Sequence, residues 1–253
     1  MAGAAVLGRL AAPLRWRLVE VVEVVPETPS AATIVLDVAD WPGHRAGQHA
    51  DVRLTAEDGY QAQRSYSIAS APEDPRLALT VERLEDGEVS PFLVGELRAG
   101  DRIELRGPIG GYFVWEANGG PVRLVAGGSG VVPLMAMLRH REAAGSEAPA
   151  TLLYSARSLG DVLYREELER LAAAGGGPRV AYTLTRERPP GWSGYDRRID
   201  GDMLAEVFGP ADPAATAFVC GPTSFVEAAA DALVALGHEP AQVKTERFGP
   251  TGG

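Results

Sequence analysis

The sequence predicts a two-domain protein in which an antiparallel β-barrel precedes an α/β domain with a parallel sheet. In the first half, short runs of alternating apolar and polar residues are separated by turn residues, which is typical of antiparallel strands. In the second half, short apolar strands alternate with helical patterns, which is typical of a parallel sheet covered by helices. The pattern changes at Asn118-Gly119-Gly120-Pro121, so we expect domains at 15–118 and 119–253.

The barrel prediction rests on the number of alternating runs in a short stretch of chain. The runs are RLVEVVEVV (17–25), ATIVLDV (32–38), HADVRLT (49–55), RLALTVERL (76–84) and DRIELRG (101–107). One helix is expected among them at 90–97, with Ser90 as its N-cap and Pro91 as its first helical residue, positions that suit both side chains.

The α/β prediction rests on strands and helices that follow one another in turn. The expected strands are VRLVA (122–126), TLLYSA (151–156), RVAYTLT (179–185) and AFVC (217–220). The expected helices are VPLMAMLRHREAA (132–144), DVLYREELERLAAA (161–174), GDMLAEVF (201–208) and PTSFVEAAADALVALG (222–237).

Composition excludes several classes of function. Apolar residues make up 45% of the chain and the net charge is −10, so we expect a globular protein that does not bind nucleic acid. No stretch is apolar enough to span a membrane and the N-terminal residues do not have the pattern of a signal peptide, so a cytoplasmic location is expected. The single cysteine, Cys220, excludes an internal disulfide, a cysteine-rich zinc site and a four-thiolate iron–sulfur cluster. We therefore expect no metal site, and redox chemistry would need an organic cofactor.

Three short motifs are candidates for ligand binding. Arg64-Ser65-Tyr66-Ser67 lies on an expected barrel strand, and its alternative interpretation is a strand with an exposed arginine. Gly87-Glu88-Val89-Ser90 opens the expected helix, where free N–H groups suit a phosphate, although an ordinary capped helix has the same pattern. Gly127-Gly128-Ser129-Gly130 joins a strand to a helix in an α/β domain, where glycines allow a pyrophosphate to approach the backbone.

The order of the motifs along the chain resembles the ferredoxin–NADP(+) reductase superfamily. The motifs are RSYS, the helix after G-x-x-S, RGPIGGYF, VAGGSGVVPLMAML, CGP and the terminal ERFG. Together they cover roughly residues 15 to 249. Within the superfamily, the chain is most similar to stand-alone NAD(P)H-dependent flavin reductase modules without an iron–sulfur domain.

The resemblance implies roles for the barrel motif. Arg64 would pair with the flavin pyrophosphate, because a planar guanidinium can contact two oxygens. Ser65 and Tyr66 would line the flavin site, with Tyr66 against the ring or the ribityl chain. Ser67 would place its hydroxyl near flavin N5, the atom that receives hydride.

The two glycine-containing turns would hold phosphates. The second flavin phosphate would bind at Gly87, Val89 and Ser90, which favours FAD over FMN. The pyrophosphate of the nicotinamide nucleotide would bind at Gly127, Gly128, Ser129 and Gly130.

Residues near the end of the chain would complete the reaction site. Cys220, with Gly221 and Pro222 after it, would stand beside the nicotinamide, although a buried core cysteine is its alternative interpretation. Glu246 matches a family carboxylate near the active site. Phe248 would cover the flavin ring and yield to the nicotinamide.

The choice between NADPH and NADH depends on groups that could bind a 2′-phosphate. Ser155 and Arg157 match positions where NADP-using relatives place a serine and an arginine, and Arg165 and Arg186 would add positive charge. The alternative is a set of solvated surface arginines. The sequence favours NADPH.

The resemblance implies a reductase that takes hydride from NAD(P)H onto FAD and passes electrons singly to a separate ferredoxin or flavodoxin serving an oxygenase. Two alternatives stay open: a reductase of free flavin or ferric chelates, and a non-catalytic flavin- and nucleotide-binding regulator. The presence of Ser67, Cys220 and Glu246 argues against the regulator. The first 118 residues carry 11 arginines and 18 carboxylates, which argues against a basic docking surface for an acidic ferredoxin.

Overall fold

The computed structural model describes residues 14–249, and it contains two sheets. The first sheet is antiparallel and has the strand order β4-β3-β6-β1-β2-β5. Its strands are β1 (Arg17–Thr28), β2 (Ala31–Asp37), β3 (His49–Thr55), β4 (Gln61–Ser67), β5 (Leu77–Glu82) and β6 (Arg102–Ile109). An isolated bridge between Ile68 and Leu79 joins the end of β4 to β5 and closes the sheet into the predicted barrel.

The second sheet is parallel and has the order β11-β10-β7-β8-β9. Its strands are β7 (Val122–Gly127), β8 (Ala150–Ala156), β9 (Arg179–Leu184), β10 (Thr216–Pro222) and β11 (Val243–Phe248). The α-helices of the chain are α1 (Ser90–Gly95) in the barrel, followed by α2 (Val131–Ala143), α3 (Arg165–Ala173), α4 (Gly201–Phe208) and α5 (Thr223–Ala235). β7 is buried along its whole length, as expected for a strand between helices. The predicted fold class is confirmed, whereas the domain boundary at residue 119 stays a prediction.

An apolar cluster continues from the barrel into the α/β domain. The Phe113 ring, after β6, packs edge-to-face on Phe218 of β10 with 5.2 Å between ring centroids. The Arg139 guanidinium of α2 donates a hydrogen bond of 2.7 Å to the carbonyl of Ala69 in the barrel. These contacts hold the start of β3 at His49 and the end of β4 at Ser67 against the carboxyl ends of β10 and β11 at Cys220 and Glu246. We call this junction the seam.

The structure corrects the predicted start of α1. Val89, not Ser90, is at the N-cap position, and Ser90 and Pro91 are the first two helical residues. The Ser90 hydroxyl accepts a hydrogen bond of 3.0 Å from the N–H of Leu84. This hydroxyl therefore satisfies a backbone N–H of the turn before the helix. The N–H groups at the start of α1 have no side-chain cap.

Two further elements differ from the prediction. The helix expected at 161–174 begins only at Arg165, because Tyr164 has a positive φ of 56°. The Tyr164 side chain is buried and its hydroxyl donates to Thr80 of the barrel, so an interdomain contact accounts for the late start. Glu246 and Phe248, expected to reach the flavin from a C-terminal tail, belong to the edge strand β11 (Val243–Phe248).

None of the helices within residues 14–249 has the length and apolar character needed to cross a membrane.

Candidate functional site

The RSYS motif lies on β4, which pairs with β3 in the barrel sheet. Arg64 is exposed, and Tyr66 and Ser67 are half-buried. Tyr66 packs against the barrel core, and this burial raises the pKa of its hydroxyl, so that the hydroxyl stays neutral. The Ser65 hydroxyl donates a hydrogen bond of 2.6 Å to Asp51, which also accepts from Arg106. The Ser65 hydroxyl is thus engaged with the barrel, whereas the Arg64 side chain is exposed to solvent.

Arg64 reaches the turn that precedes α1. Its Nη2 lies 2.9 Å from Oε2 of Glu88, and the Tyr60 hydroxyl donates to the other carboxylate oxygen at 2.6 Å. These two partners hold the pKa of Glu88 below its usual range. The Arg64–Glu88 pair is about half exposed, so this ion pair contributes little to stability.

The turn at the predicted second phosphate site leaves little room for a side chain at Gly87. A Cβ at Gly87 would lie 3.0 Å from both the Leu84 carbonyl and the Ser90 hydroxyl oxygen. The side chains of Val89 and Ser90 are buried. Any anion at this turn would therefore meet backbone N–H groups and Arg64, because the Ser90 hydroxyl is already bonded to Leu84.

The glycine turn begins where β7 ends. Gly127 ends the strand, residues 128–130 form one turn of 3-10 helix, and α2 follows directly. A Cβ at Gly130 would lie 2.1 Å from the Cys220 carbonyl oxygen, so this glycine is required by the close approach of β10. Gly128 has a φ of +55° and no neighbour within 4 Å of an added Cβ, so its backbone is open to a ligand.

An aromatic ring occupies the space beside two glycines at the ends of β7 and β10. An added Cβ would lie 2.9 Å from the Phe225 ring at Gly127 and 2.7 Å at Gly221. Sequence reasoning did not identify Phe225. It also attributed Gly127 to phosphate contact alone, whereas the structure shows that packing of a side chain from α5 needs this glycine too.

Cys220 lies on β10 and is buried, with 1% of its surface exposed. Burial, and next the Glu246 carboxylate, raise the pKa of this thiol well above its usual value. The group is therefore a neutral thiol. Its Cα is in register with Ala126 of β7 and with Glu246 of β11, so the carboxyl ends of three adjacent strands meet here.

Glu246 connects this sheet edge to the barrel. Its Oε1 lies 3.7 Å from Nδ1 of His49, the first residue of β3, and its Oε2 is buried without a hydrogen-bond partner. Burial raises the pKa of Glu246 to about 7 and lowers the pKa of His49. His49 is in register with Ser67 on β4. The seam thus brings together Ser67 and His49 from the barrel with Cys220 and Glu246 from the α/β domain.

The residues expected near a 2′-phosphate fall into two groups. Ser155, one residue before the end of β8, is in register with Gly127, and the N–H of Arg186 donates to the carbonyl of Arg157 at 2.9 Å. These three arginine and serine residues therefore lie at the carboxyl ends of the strands. Arg165 instead lines a cleft of about 590 Å³ that faces Glu27 of the barrel. The structure therefore separates Arg165 from the group with which the sequence placed it.

The last residues of β11 are open to solvent. Phe248 is in register with Pro222 and has 37% of its surface exposed. Its ring is therefore partly exposed, while Val243, at the other end of the strand, is buried.

The described residues fit a flavin and a nicotinamide nucleotide. Arg64 is an accessible cation, and the open backbone at Gly128 precedes the free N–H groups at the start of a long helix. The unpartnered oxygen of Glu246 is a polar group at the seam that a bound molecule could satisfy.

Comparison with known proteins gives the same assignment. Residues 19–114 match the family model for the oxidoreductase FAD-binding domain, and residues 124–231 match that for the oxidoreductase NAD-binding domain. Ferredoxin–NADP reductase B of Sorangium cellulosum is 36% identical over 219 residues, covering 83% of this chain and 87% of the relative.

Two other relatives are longer than this chain. The glycine betaine monooxygenase reductase subunit of Pseudomonas aeruginosa is 30% identical over 239 residues, which cover 92% of this chain but only 64% of the subunit. The crystal structure of a cytochrome P450 reductase from Amycolatopsis superposes with a TM-score of 0.83 at 28% identity, covering 98% of this chain and 74% of the other.

The resemblance predicted from the order of the motifs is confirmed. Both family models match in the order FAD-binding and then NAD-binding, and the similarity to a reductase extends over most of both chains. The chain therefore belongs to the ferredoxin–NADP reductase family of FAD- and NAD-binding oxidoreductases.

Proposed function

We propose that this protein takes hydride from NADPH onto FAD and passes the electrons singly to a separate ferredoxin or flavodoxin that serves an oxygenase. Bound FAD supplies the conversion from a two-electron donor to a one-electron acceptor, and the protein supplies binding, orientation and electrostatics. The observation that carries the proposal is the meeting of Ser67 and His49 with Cys220 and Glu246 at the seam.

On the barrel side, we assign Arg64 to the flavin pyrophosphate and Tyr66 to the flavin ring. Ser67 would donate a hydrogen bond near the atom that accepts hydride. The backbone of the turn at Gly87, Val89 and Ser90 would hold the second phosphate, which is the reason for choosing FAD over FMN. Ser65 would support the site through Asp51 rather than contact the flavin.

On the α/β side, the turn from Gly127 to Gly130 would bind the nucleotide pyrophosphate. Cys220, Gly221 and Pro222 would line the nicotinamide subsite, and Phe248 would cover the flavin ring until the nicotinamide enters. Glu246 would hold or release a proton beside the site of hydride transfer.

The proposed acceptor is supported by the names of the relatives. One relative is a ferredoxin–NADP reductase, another is the reductase subunit of glycine betaine monooxygenase, and a third is component C of methane monooxygenase. The first two are named as reductases, which favours a separate electron acceptor over a regulatory role.

Anaerobic reduction tests the proposed function. FAD-loaded protein is mixed with NADPH or NADH, the flavin absorbance is followed, and a ferredoxin, a flavodoxin, free flavin or a ferric chelate is then added. We expect rapid bleaching by NADPH and reoxidation by the protein acceptors. Absence of bleaching would leave only the regulatory interpretation, and turnover with free flavin or ferric chelate alone would support a small-molecule reductase.

Replacing Arg157 tests the choice of nucleotide. Among the described residues Arg157 has no ion pair, so its exposed guanidinium is available to a 2′-phosphate. We expect Arg157→Ala to raise the KM for NADPH roughly tenfold and to leave the KM for NADH unchanged, because only NADPH carries that phosphate.

The matched control is Arg188→Ala, which removes a nearby exposed arginine that already pairs with Asp196. It should change neither constant. Equal effects of Arg157→Ala on NADPH and NADH would refute the assignment.

A further inference from the structure

Two titratable side chains from different domains face each other across the seam. His49 Nδ1 and Glu246 Oε1 are 3.7 Å apart, and about a quarter of each side chain is exposed. The two residues are nearly 200 positions apart in sequence, so only the packing of the domains brings them together. The contact is close enough for one group to respond to the charge of the other.

The other titratable groups near this pair lie on three strands: Asp51 on β3, Cys220 on β10, and Lys244 two residues before Glu246 on β11. Asp51, on the same strand as His49, raises the pKa of the imidazole but is itself paired with Arg106. The neutral thiol of Cys220 faces Glu246 from β10. Gly110 lies beside the His49 ring without adding a charge, as an added Cβ there would be 3.5 Å from Nδ1. Among the described residues, the contact with Glu246 is the one ion-pair contact within 4 Å that His49 makes, and the same holds for Glu246.

We propose that His49 and Glu246 together carry a single proton, which resides on one residue or the other. We also propose that His49 is a positioning residue that sets the charge of the Glu246 carboxyl. The proton-sharing pair is a property of the protein alone. Its effect on hydride transfer rests on the proposed function.

Burial explains why the pair shares a proton near neutral pH. A carboxylate with one buried, unpartnered oxygen is costly, and burial raises the pKa of Glu246 to about 7. Burial also lowers the pKa of His49, so burial strengthens proton binding by the carboxyl and weakens proton binding by the imidazole. Such a pair titrates as a unit, and removing either member shifts the titration of the other.

Imidazole NMR on the flavin-free protein tests the pair directly. The chain has four histidines, so His49 can be assigned by the signal that His49→Gln removes. We expect Glu246→Gln to lower the titration midpoint of His49 by about one pH unit, because the nearby carboxylate that stabilises the imidazolium is lost. An unchanged midpoint would overturn the proposal.

The pH profile of anaerobic FAD reduction tests the role of the pair. In His49→Gln the glutamine keeps a hydrogen-bonding group but cannot carry a charge. The Glu246 carboxylate then lacks the nearby imidazolium, so the limb of the pH profile that reports protonation of Glu246 should move to higher pH by about one unit. The KM for NADPH should not change. If the NMR coupling is present but this limb does not move, the positioning role is refuted although the pair itself stands.

The control is His44→Gln, because His44 is bonded to the Ser70 carbonyl within the barrel and does not touch the seam. It should leave both measurements unchanged. A protein that shows the NMR coupling but never bleaches with NADPH or NADH would contradict the proposed function and not the pair. If His49→Gln does not fold, the His49 signal is identified as the one that none of His44→Gln, His140→Gln and His238→Gln removes, and Glu246→Gln then decides the question by NMR.

Discussion

A chain that ends at Thr245 is expected to keep its fold and to lose about 100-fold in the rate of FAD reduction by NADPH. This truncation removes Glu246 from the seam and Phe248 from its outer edge. The removed part of β11 is half-buried or exposed, so it contributes little to the core. Stopped-flow absorbance with FAD-loaded protein measures the rate, and circular dichroism measures the fold.

A chain that ends at Gln242 is expected to lose the folded α/β domain. It lacks the buried Val243 and all six register pairs between β10 and β11, and it exposes the edge of a strand that is buried along most of its length. We expect a loss of about 5 kcal/mol or more in the free energy of unfolding, from apolar burial and strand hydrogen bonds together.

Urea unfolding of the two truncated chains separates the roles of β11. A chain that ends at Gly249, which retains all the described residues, is the control and should match the full chain. If truncation at Thr245 unfolds the domain, the loss of reduction cannot be assigned to Glu246 and Phe248. If truncation at Gln242 leaves stability unchanged, β11 is not a structural strand in solution.

Arg64→Ala is expected to weaken FAD binding by roughly 10- to 100-fold, since a charge-assisted contact with a phosphate is lost. The rate of hydride transfer at saturating FAD should change much less, because Arg64 lies at the phosphate end of the proposed site. Stability should not change, because the exposed pair with Glu88 is weak. Fluorescence titration of flavin-free protein with FAD measures the affinity.

Two variants control for this result. Arg45→Ala removes an arginine of matched exposure, in an ion pair with Glu116, and should leave FAD affinity unchanged. Glu88→Gln frees the Arg64 guanidinium from its carboxylate and should strengthen FAD binding or leave it unchanged. Weaker binding in Glu88→Gln would mean that Glu88, rather than Arg64, contacts the flavin.

The sequence by itself determined the fold class and the family. Period-two alternation predicts strands and the helical period predicts helices, because these patterns follow from local backbone geometry. The order of the RSYS, GGSG and CGP motifs identified the family, and the structure places Arg64, Gly128 and Cys220 on the expected elements. These features are local in the chain, so they can be predicted from it.

Only the tertiary structure decided the details that depend on contacts between distant segments. The hydroxyl of Ser90 binds Leu84 instead of capping α1, and Tyr164 delays α3 because it packs against the barrel. β11 is a strand because β10 lies beside it, although residues 243–248 have no strong strand pattern of their own. No local sequence pattern marks His49 as a residue of the site. His49 reaches Glu246 because β3 and β11 end at the same seam, and such a contact depends on domain packing that no sequence window contains.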